Sequence, residues 1–157
     1  MNKKLNLASK QGFTLVELLL VIGIIATLAV VVFVALDPAK RFADARDAKR
    51  TSDVETILSA VHQFVIDNKG GFPVDFSTED VMIGISSTEC AINTPRCNLS
   101  SSACVDLSVL SKYLKTVPFD PQTGSEATTQ YAISKDANGL VTVKACAAEG
   151  GDISVSR

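Results

Sequence analysis

The sequence predicts an α+β protein in which a long N-terminal helix packs on a small antiparallel β-sheet head. Three observations predict it: residues 18–36 carry no charge, an apolar stripe at helical spacing follows, and two alternating apolar runs lie near the C-terminus. The chain has 157 residues, 46% hydrophobic and 20% charged. That length and composition fit one globular domain and exclude a disordered or collagen-like chain.

The apolar segment, residues 13–36, is long enough to cross a membrane. As a helix it would be about 36 Å long, and a spanning helix needs about 20 apolar residues. It is too long for a cleaved signal peptide, whose apolar region has about 7–15 residues. Residues 1–12 carry three lysines and no acid, which predicts a cytoplasmic N-terminus and a head on the other side of the membrane.

Glu17 is the acid that a plain membrane anchor does not explain. A carboxylate deep in a bilayer costs roughly 3 kcal/mol or more, so an intramembrane acid indicates a functional site. The alternative is that Glu17 lies at the cytoplasmic edge of the span and reaches water. The anchor interpretation leaves both open.

The segment KQGFTLVE, residues 10–17, resembles the processing site of type IV prepilins and type II secretion pseudopilins. It combines a basic leader, a glycine, a phenylalanine, an acid and an unbroken apolar helix. The resemblance implies that a membrane peptidase cuts between Gly12 and Phe13 and that Phe13 is then N-methylated. It also implies that Glu17, fifth in the mature chain, acts in filament assembly.

Cleavage before the apolar run would leave the helix on the mature protein and create an α-amino group beside hydrocarbon. Glu17 of a neighbouring subunit could pair with that cation, since two desolvated charges that pair are tolerated better than either alone. The predicted organisation is a leader at 1–12, a transmembrane and filament-core helix at 13–36, and a pilin-like head at 37–157. The head includes an amphipathic helix to about residue 68.

The second half of the long helix is predicted to be amphipathic. Pro38 should start, kink or locally melt a helix, and glycine after Asn68 should provide its left-handed end. His62 lies off the apolar stripe and is predicted at the surface. The stripe is Val54, Ile57, Leu58, Val61, Phe64 and Val65. Five cations precede it and predict a solvated face, or contacts with lipid headgroups or neighbouring subunits; they are Lys40, Arg41, Arg46, Lys49 and Arg50.

The remaining residues predict a short helix at 106–114, a turn at 118–124, and strands at 130–134 and 140–147 joined by a hairpin at 136–139. The Asn68 and Phe72-Pro73 end of the helix and the later turn at 117–121 look like those of the major pseudopilin of type II secretion systems. An extra glycine after Asn68 and a cysteine-rich insertion depart from that pattern.

Four cysteines, Cys90, Cys97, Cys104 and Cys146, lie on the predicted non-cytoplasmic side, where disulfides are favoured. Three pairings are possible. Their order favours Cys90–Cys97 and Cys104–Cys146 without excluding the others. The six-residue gaps are too long for a zinc site, and His62 lacks the third member that a catalytic cysteine would need.

No cofactor or metal is predicted, with calcium left open by the resemblance. Members of the family bind calcium in a C-terminal loop rich in glycine and aspartate, and residues 149–152, EGGD, are similar to it.

The predicted function is a structural subunit of a type IV pilus-like filament, and not an enzyme, because the chain has no G-x-S-x-G, H-E-x-x-H or P-loop motif. A secretion-type major pseudopilin is favoured. The alternatives are a type IV pilin for adhesion, motility or DNA uptake, and an anchored binding domain that does not polymerise.

The resemblance implies several partners: copies of the chain itself, minor pilins or pseudopilins, prepilin peptidase, the assembly platform and the bilayer of the bacterial inner membrane. Nucleic acid is not expected, because residues 37–157 hold 12 basic and 16 acidic residues, a net charge of −4.

Overall fold

The computed structural model describes residues 12–157, and the chain forms two compact units, one ending at Arg41 and the other running from Phe42 to Arg157. The predicted leader lies outside the described residues, except for Gly12. The first unit contains helix α1, Leu15–Leu36, and the first residues of helix α2, Pro38–Asp67. The second unit contains the rest of α2 and the sheet, which confirms the predicted α+β class.

Asp37 separates the two helices. Its backbone has a left-handed φ of 38°, which ends α1, and Pro38 is the first residue of α2. Proline suits the first position of a helix because its missing N–H would have no partner there. The Asp37 carbonyl accepts the N–H of Arg41 at 3.2 Å, and its Oδ1 accepts the N–H of Lys40 at 3.4 Å. Pro38 therefore starts a helix, one of the outcomes that the sequence predicts.

The predicted apolar stripe of α2 is confirmed as the core of the head. Val54, Ile57, Leu58 and Val61 are buried. Phe64 and Val65, the last two residues of the stripe, are partly buried and pack against the same core. The sheet supplies the facing side chains, which are Tyr131, Ile133, Val141, Val143 and Ala145. Burial of such side chains contributes roughly 1.5–3 kcal/mol each.

The main sheet has four antiparallel strands in the order β1-β4-β5-β6, and a separate hairpin is formed by β2 and β3. The strands are β1 Val81–Met82, β2 Ile92–Asn93, β3 Asn98–Leu99, β4 Tyr131–Lys135, β5 Val141–Ala145 and β6 Ile153–Ser156. The predicted hairpin between β4 and β5 is confirmed, and Asp136 Oδ1 accepts the N–H groups of Asn138 and Leu140 at 2.8 Å each. The predicted helix at 106–114 is a 3₁₀ helix, Ser108–Lys112.

Lys69, and not a glycine, is the first left-handed residue after α2. Its φ is 55°, and Gly70 follows with a φ of 93°. The Gly70 N–H binds the Val65 carbonyl at 2.8 Å, and the Lys69 N–H binds that of Ile66 at 3.4 Å. This is the Schellman pattern, in which the first position after the helix favours glycine.

Lys69→Gly is expected to raise the free energy of unfolding by about 0.5–1 kcal/mol, because glycine adopts a positive φ without steric cost. Denaturant unfolding of the detergent-solubilised full chain measures the change. Gly70→Ala is the matched variant and should lower the same free energy. A loss of stability in Lys69→Gly would contradict the assignment of the cap.

Candidate processing and assembly site

Residues 12–14 form an exposed, non-helical segment before α1, and Thr14 has extended backbone. Thr14 has φ −78° and ψ 153°, and the Phe13 side chain is 84% exposed. A Cβ added to Gly12 would meet no atom of the described residues within 4 Å. The peptide bond between Gly12 and Phe13, the predicted cleavage point, therefore lies in exposed backbone outside the helix, and no described residue crowds a side chain at position 12.

Glu17 and Thr14 form a reciprocal N-terminal cap on α1. The Glu17 N–H donates to Thr14 Oγ1 at 3.2 Å, while Glu17 Oε2 accepts the Thr14 N–H at 2.8 Å and the Thr14 hydroxyl at 2.9 Å. This capping box was missed at the sequence level, although the spacing Thr-x-x-Glu before an apolar run is its signature. Thr14 thus joins the predicted site as the residue that orients the carboxylate.

In the cap the Glu17 carboxylate accepts two hydrogen bonds from its own chain. Both donors belong to Thr14, the residue that follows Phe13. A carboxylate held by hydrogen bonds costs less to place beside apolar groups than a bare one. Pairing of Glu17 with the Phe13 amine of a neighbouring copy involves a second chain and stays a prediction.

All of α1 is exposed, from Leu15 to Leu36. Its Thr27 hydroxyl donates to the Ile24 carbonyl at 2.8 Å, so that this polar group needs no partner outside the helix. By length and composition the helical segment could cross a membrane. Such an apolar surface needs lipid or other apolar helices around it.

A buried charged cluster lies in the head, in the second unit. The Arg50 side chain is 0% exposed. Its Nε donates to Asp120 Oδ2 at 2.5 Å, and its Nη1 donates to Asp47 Oδ1 and Glu149 Oε1 at 2.8 Å each. Asp120 Oδ1 also accepts the N–H groups of two turn residues at 2.9 Å each. Arg50 therefore ties α2 to the turn that contains Asp120 and to the connection that contains Glu149.

The cluster shifts the pKa values of its members. Burial alone would raise the pKa of Asp120, but the bond from Arg50 and the turn N–H groups lower it below its usual range. Bonds from Arg46 and Arg50 lower the pKa of Glu149 to about 2. The Arg50 pKa is raised by the carboxylates despite burial, which opposes the shift. All of these groups are therefore charged at neutral pH.

The expected solvated face of α2 is wrong for two of its five cations. Arg50 is buried, and Arg46 is half-buried and binds Glu149 through two hydrogen bonds of 2.6 Å, whereas Lys49 is exposed and pairs with Asp53. Only Lys40 and Arg41, among the five, have exposed side chains without an ion pair in the described part of the chain. Sequence reasoning missed the burial of Arg50, although Arg50 lies one turn before Val54 on the apolar stripe.

The N-terminal geometry agrees with a comparison against protein families. Residues 7–33 match the prokaryotic N-terminal methylation motif. The N-terminal segment of the chain is type IV prepilin-like. The motif supports a substrate of prepilin peptidase anchored in a membrane by its N-terminal helix, and it ends before the head. No curated protein and no solved structure matches the chain significantly.

Calcium does not fit the C-terminal loop of residues 149–152. In residues 149–152 the Glu149 carboxylate is held by two arginines, and Asp152 pairs with Arg96 at 2.9 Å. Calcium requires several free oxygen ligands. Within residues 12–157, no three acidic, histidine or cysteine side chains are arranged to hold a metal ion.

The four cysteines form two disulfides, Cys90–Cys104 and Cys97–Cys146, so the favoured pairing is wrong. The reason is the register of the β2–β3 hairpin, in which Ile92 faces Leu99. Beyond the paired strands the Cys90 N–H binds the Ser102 carbonyl at 3.0 Å, which brings Cys90 beside the segment that contains Cys104, while Cys97 lies in the turn between the strands. The Thr94 hydroxyl binds the Cys146 carbonyl at 3.1 Å and brings that turn to the end of β5.

Replacing Cys97 and Cys146 by serine is expected to lower the free energy of unfolding of the head by about 2–5 kcal/mol. The Cys90–Cys104 disulfide joins residues 14 apart in sequence, whereas Cys97–Cys146 joins residues 49 apart. Cys90→Ser/Cys104→Ser should therefore lower the free energy of unfolding by about 1 kcal/mol less than Cys97→Ser/Cys146→Ser. Denaturation of the full chain compares the two. Alkylation of native protein without reductant should label none of the four, and labelling of two would contradict the pairing.

His62 is half-buried rather than at the surface. Its Nε2 atom is buried and has no hydrogen-bond partner among the described residues. We assign it no role in the site.

Proposed function

We propose that the chain is a structural subunit of a type IV pilus-like filament and has no catalytic role. The observation that carries the proposal is the methylation motif, residues 7–33, whose helix α1 is exposed along its whole length and carries no charge after Glu17. A membrane stores such a helix in the monomer. The helices of other copies can cover it in a filament, so one surface serves both states.

The proposed pathway starts in the bacterial inner membrane, with the N-terminus in the cytoplasm and the head outside. Prepilin peptidase cuts between Gly12 and Phe13, and the new Phe13 amine is methylated. Polymerisation then pairs that amine with Glu17 of a neighbouring copy. The partners are further copies of the chain, minor pilins or pseudopilins, and the assembly platform.

Within this class we favour a secretion-type major pseudopilin that acts in protein export. Support comes from the turn at 117–121, which resembles the corresponding turn of that subunit. In the structure this turn is an anchor, because Asp120 within it binds Arg50 of α2. The acidic head supports the same preference over a DNA-binding pilus.

Gly12→Val is expected to block processing without disturbing the fold. No atom in residues 12–157 lies within 4 Å of a Cβ added to Gly12, so a loss of cleavage would report recognition by the peptidase. Intact mass of the membrane fraction measures it, and the variant should retain residues 1–12 while the wild type loses them. Normal cleavage of Gly12→Val would contradict the assigned site.

Gly23→Ala is the matched control, since Gly23 also has no atom within 4 Å of an added Cβ but lies inside α1. It should be processed like the wild type.

Filaments in the periplasm would support the secretion role, whereas filaments sheared from the cell surface would favour a type IV pilin.

A further inference from the structure

The connection between β5 and β6, residues 146–152, is fixed to α2 by side chains from one face of that helix. Asp47 accepts the N–H of Gly150 at 2.6 Å and the N–H of Glu149 at 3.1 Å. Arg46 Nε and Nη2 donate to the two carboxylate oxygens of Glu149 at 2.6 Å each. Arg50 adds a third bond to Glu149 Oε1 at 2.8 Å.

In these contacts the negative charge of Glu149 is balanced by Arg46 and Arg50 of the same chain. A guanidinium that grips a carboxylate with two parallel bonds is among the stronger polar contacts in proteins. Both oxygens of Glu149 are engaged, and two positive charges lie against it. An added cation would have to displace arginine donors and overcome their repulsion.

The start of the connection has a covalent attachment that does not involve Arg46 or Arg50. At the start, Cys146 is bonded to Cys97. Near the other end, Asp152 pairs with Arg96 at 2.9 Å, although the Asp152 side chain is 79% exposed. The connection therefore does not depend on its glycines folding around an ion.

We infer that Arg46 and Arg50 provide the positive charge that orders this glycine- and acid-containing connection, and that the head is ordered without calcium. The pair acts as a built-in counter-charge for Glu149. The stability and order of the head are then independent of the calcium concentration outside the membrane. This inference concerns the head alone and holds whether or not the chain polymerises.

The first test is thermal unfolding of the wild-type full chain in detergent, with millimolar calcium and with EDTA. A ligand that binds the native state raises the unfolding midpoint, so a bound calcium would separate the two curves. We expect the same midpoint in both buffers. A midpoint raised by calcium or lowered by EDTA would overturn the inference.

The second test uses Glu149→Gln, which removes the charge that the arginines grip. We expect the midpoint to fall by about 5 °C or more, equally in calcium and in EDTA. Asp152→Asn is the matched control, because its exposed pair should contribute little. Equal midpoints for the two variants would count against the arginine contacts.

Hydrogen exchange separates local loosening from global destabilisation. In Glu149→Gln the backbone amides of residues 149 and 150 should exchange faster than in the wild type, while the amides of β4 keep their protection. If Glu149→Gln does not fold, Arg46→Lys provides the same readout, since lysine keeps the charge but loses the two-bond grip. Unchanged exchange at Glu149 and Gly150 in Arg46→Lys would refute the role of Arg46.

Discussion

Glu17→Ala is expected to reduce filament yield by about tenfold or more, while the protein accumulates as processed, membrane-bound monomer. Without the carboxylate, the amine of Phe13 has no anionic partner in an apolar environment. An unpaired buried charge costs several kcal/mol, and each 1.4 kcal/mol is a factor of about ten in an equilibrium. Shearing of cells and osmotic release of periplasm, compared with the membrane fraction, measure the loss.

A membrane anchor that does not polymerise predicts the opposite sign. Loss of the carboxylate should then favour insertion by roughly 2–3 kcal/mol, and no other property should change. Thr14→Ala is the matched control: it removes the hydroxyl of the capping box, at about 1 kcal/mol, but keeps the charge of Glu17. It should still form filaments. Normal filament yield from Glu17→Ala would refute the pairing.

Arg50→Met is expected to lower the free energy of unfolding of the head by about 3–5 kcal/mol. The substitution leaves the buried carboxylate of Asp120 without its cation, and methionine fills much of the space without replacing the bonds. Denaturant unfolding of the full chain in detergent measures the change. A loss below about 1 kcal/mol, in the range of exposed ion pairs, would contradict the importance of this cluster.

The second variant in this series is Arg50→Met/Asp120→Asn. It removes both charges and should be more stable than Arg50→Met alone, since an unpaired buried charge costs more than the loss of the pair. The asparagine can still accept the N–H groups of the turn. Equal or lower stability of the double variant would show that the charge of Asp120 is not what destabilises Arg50→Met.

The pH dependence provides an independent check. In the wild type the lowered pKa values of Asp120 and Glu149 stabilise the fold above the unfolded pKa values, near 4. That stability is lost as the pH falls toward the pKa of Glu149, about 2. In Arg50→Met the Asp120 carboxyl is buried without a cation, so protonation favours folding. The stability difference between the two proteins should therefore narrow as the pH falls from 7 to about 3.

The helical half of the fold was predictable because its signals are repeated many times along the sequence. The uncharged run before Asp37 and the stripe from Val54 each involve many side chains, so no single residue decides the result. The β4–β5 hairpin was predictable for the same reason, since alternation on both sides of Asp136 agrees with the turn. The prepilin-like segment was recognisable because it joins several residue types in one order.

The short strands and the charged cluster were not predictable from local pattern. Strands β1, β2 and β3 have two residues each, too few for an alternation to be seen. The buried Arg50 binds Asp120, which is 70 residues away in sequence, and no local pattern indicates that contact. The disulfide pairing failed likewise, because the β2–β3 register decides which cysteines meet.

The most direct test of the account is the N-terminus of the mature protein, read by intact mass and end sequencing of filaments isolated from a host that has the peptidase. We expect a chain that begins at an N-methylated Phe13, has lost three lysines, and carries a formal net charge of −5 in place of −2. A filament or membrane protein that still begins at Met1 and retains residues 1–12 would contradict the account.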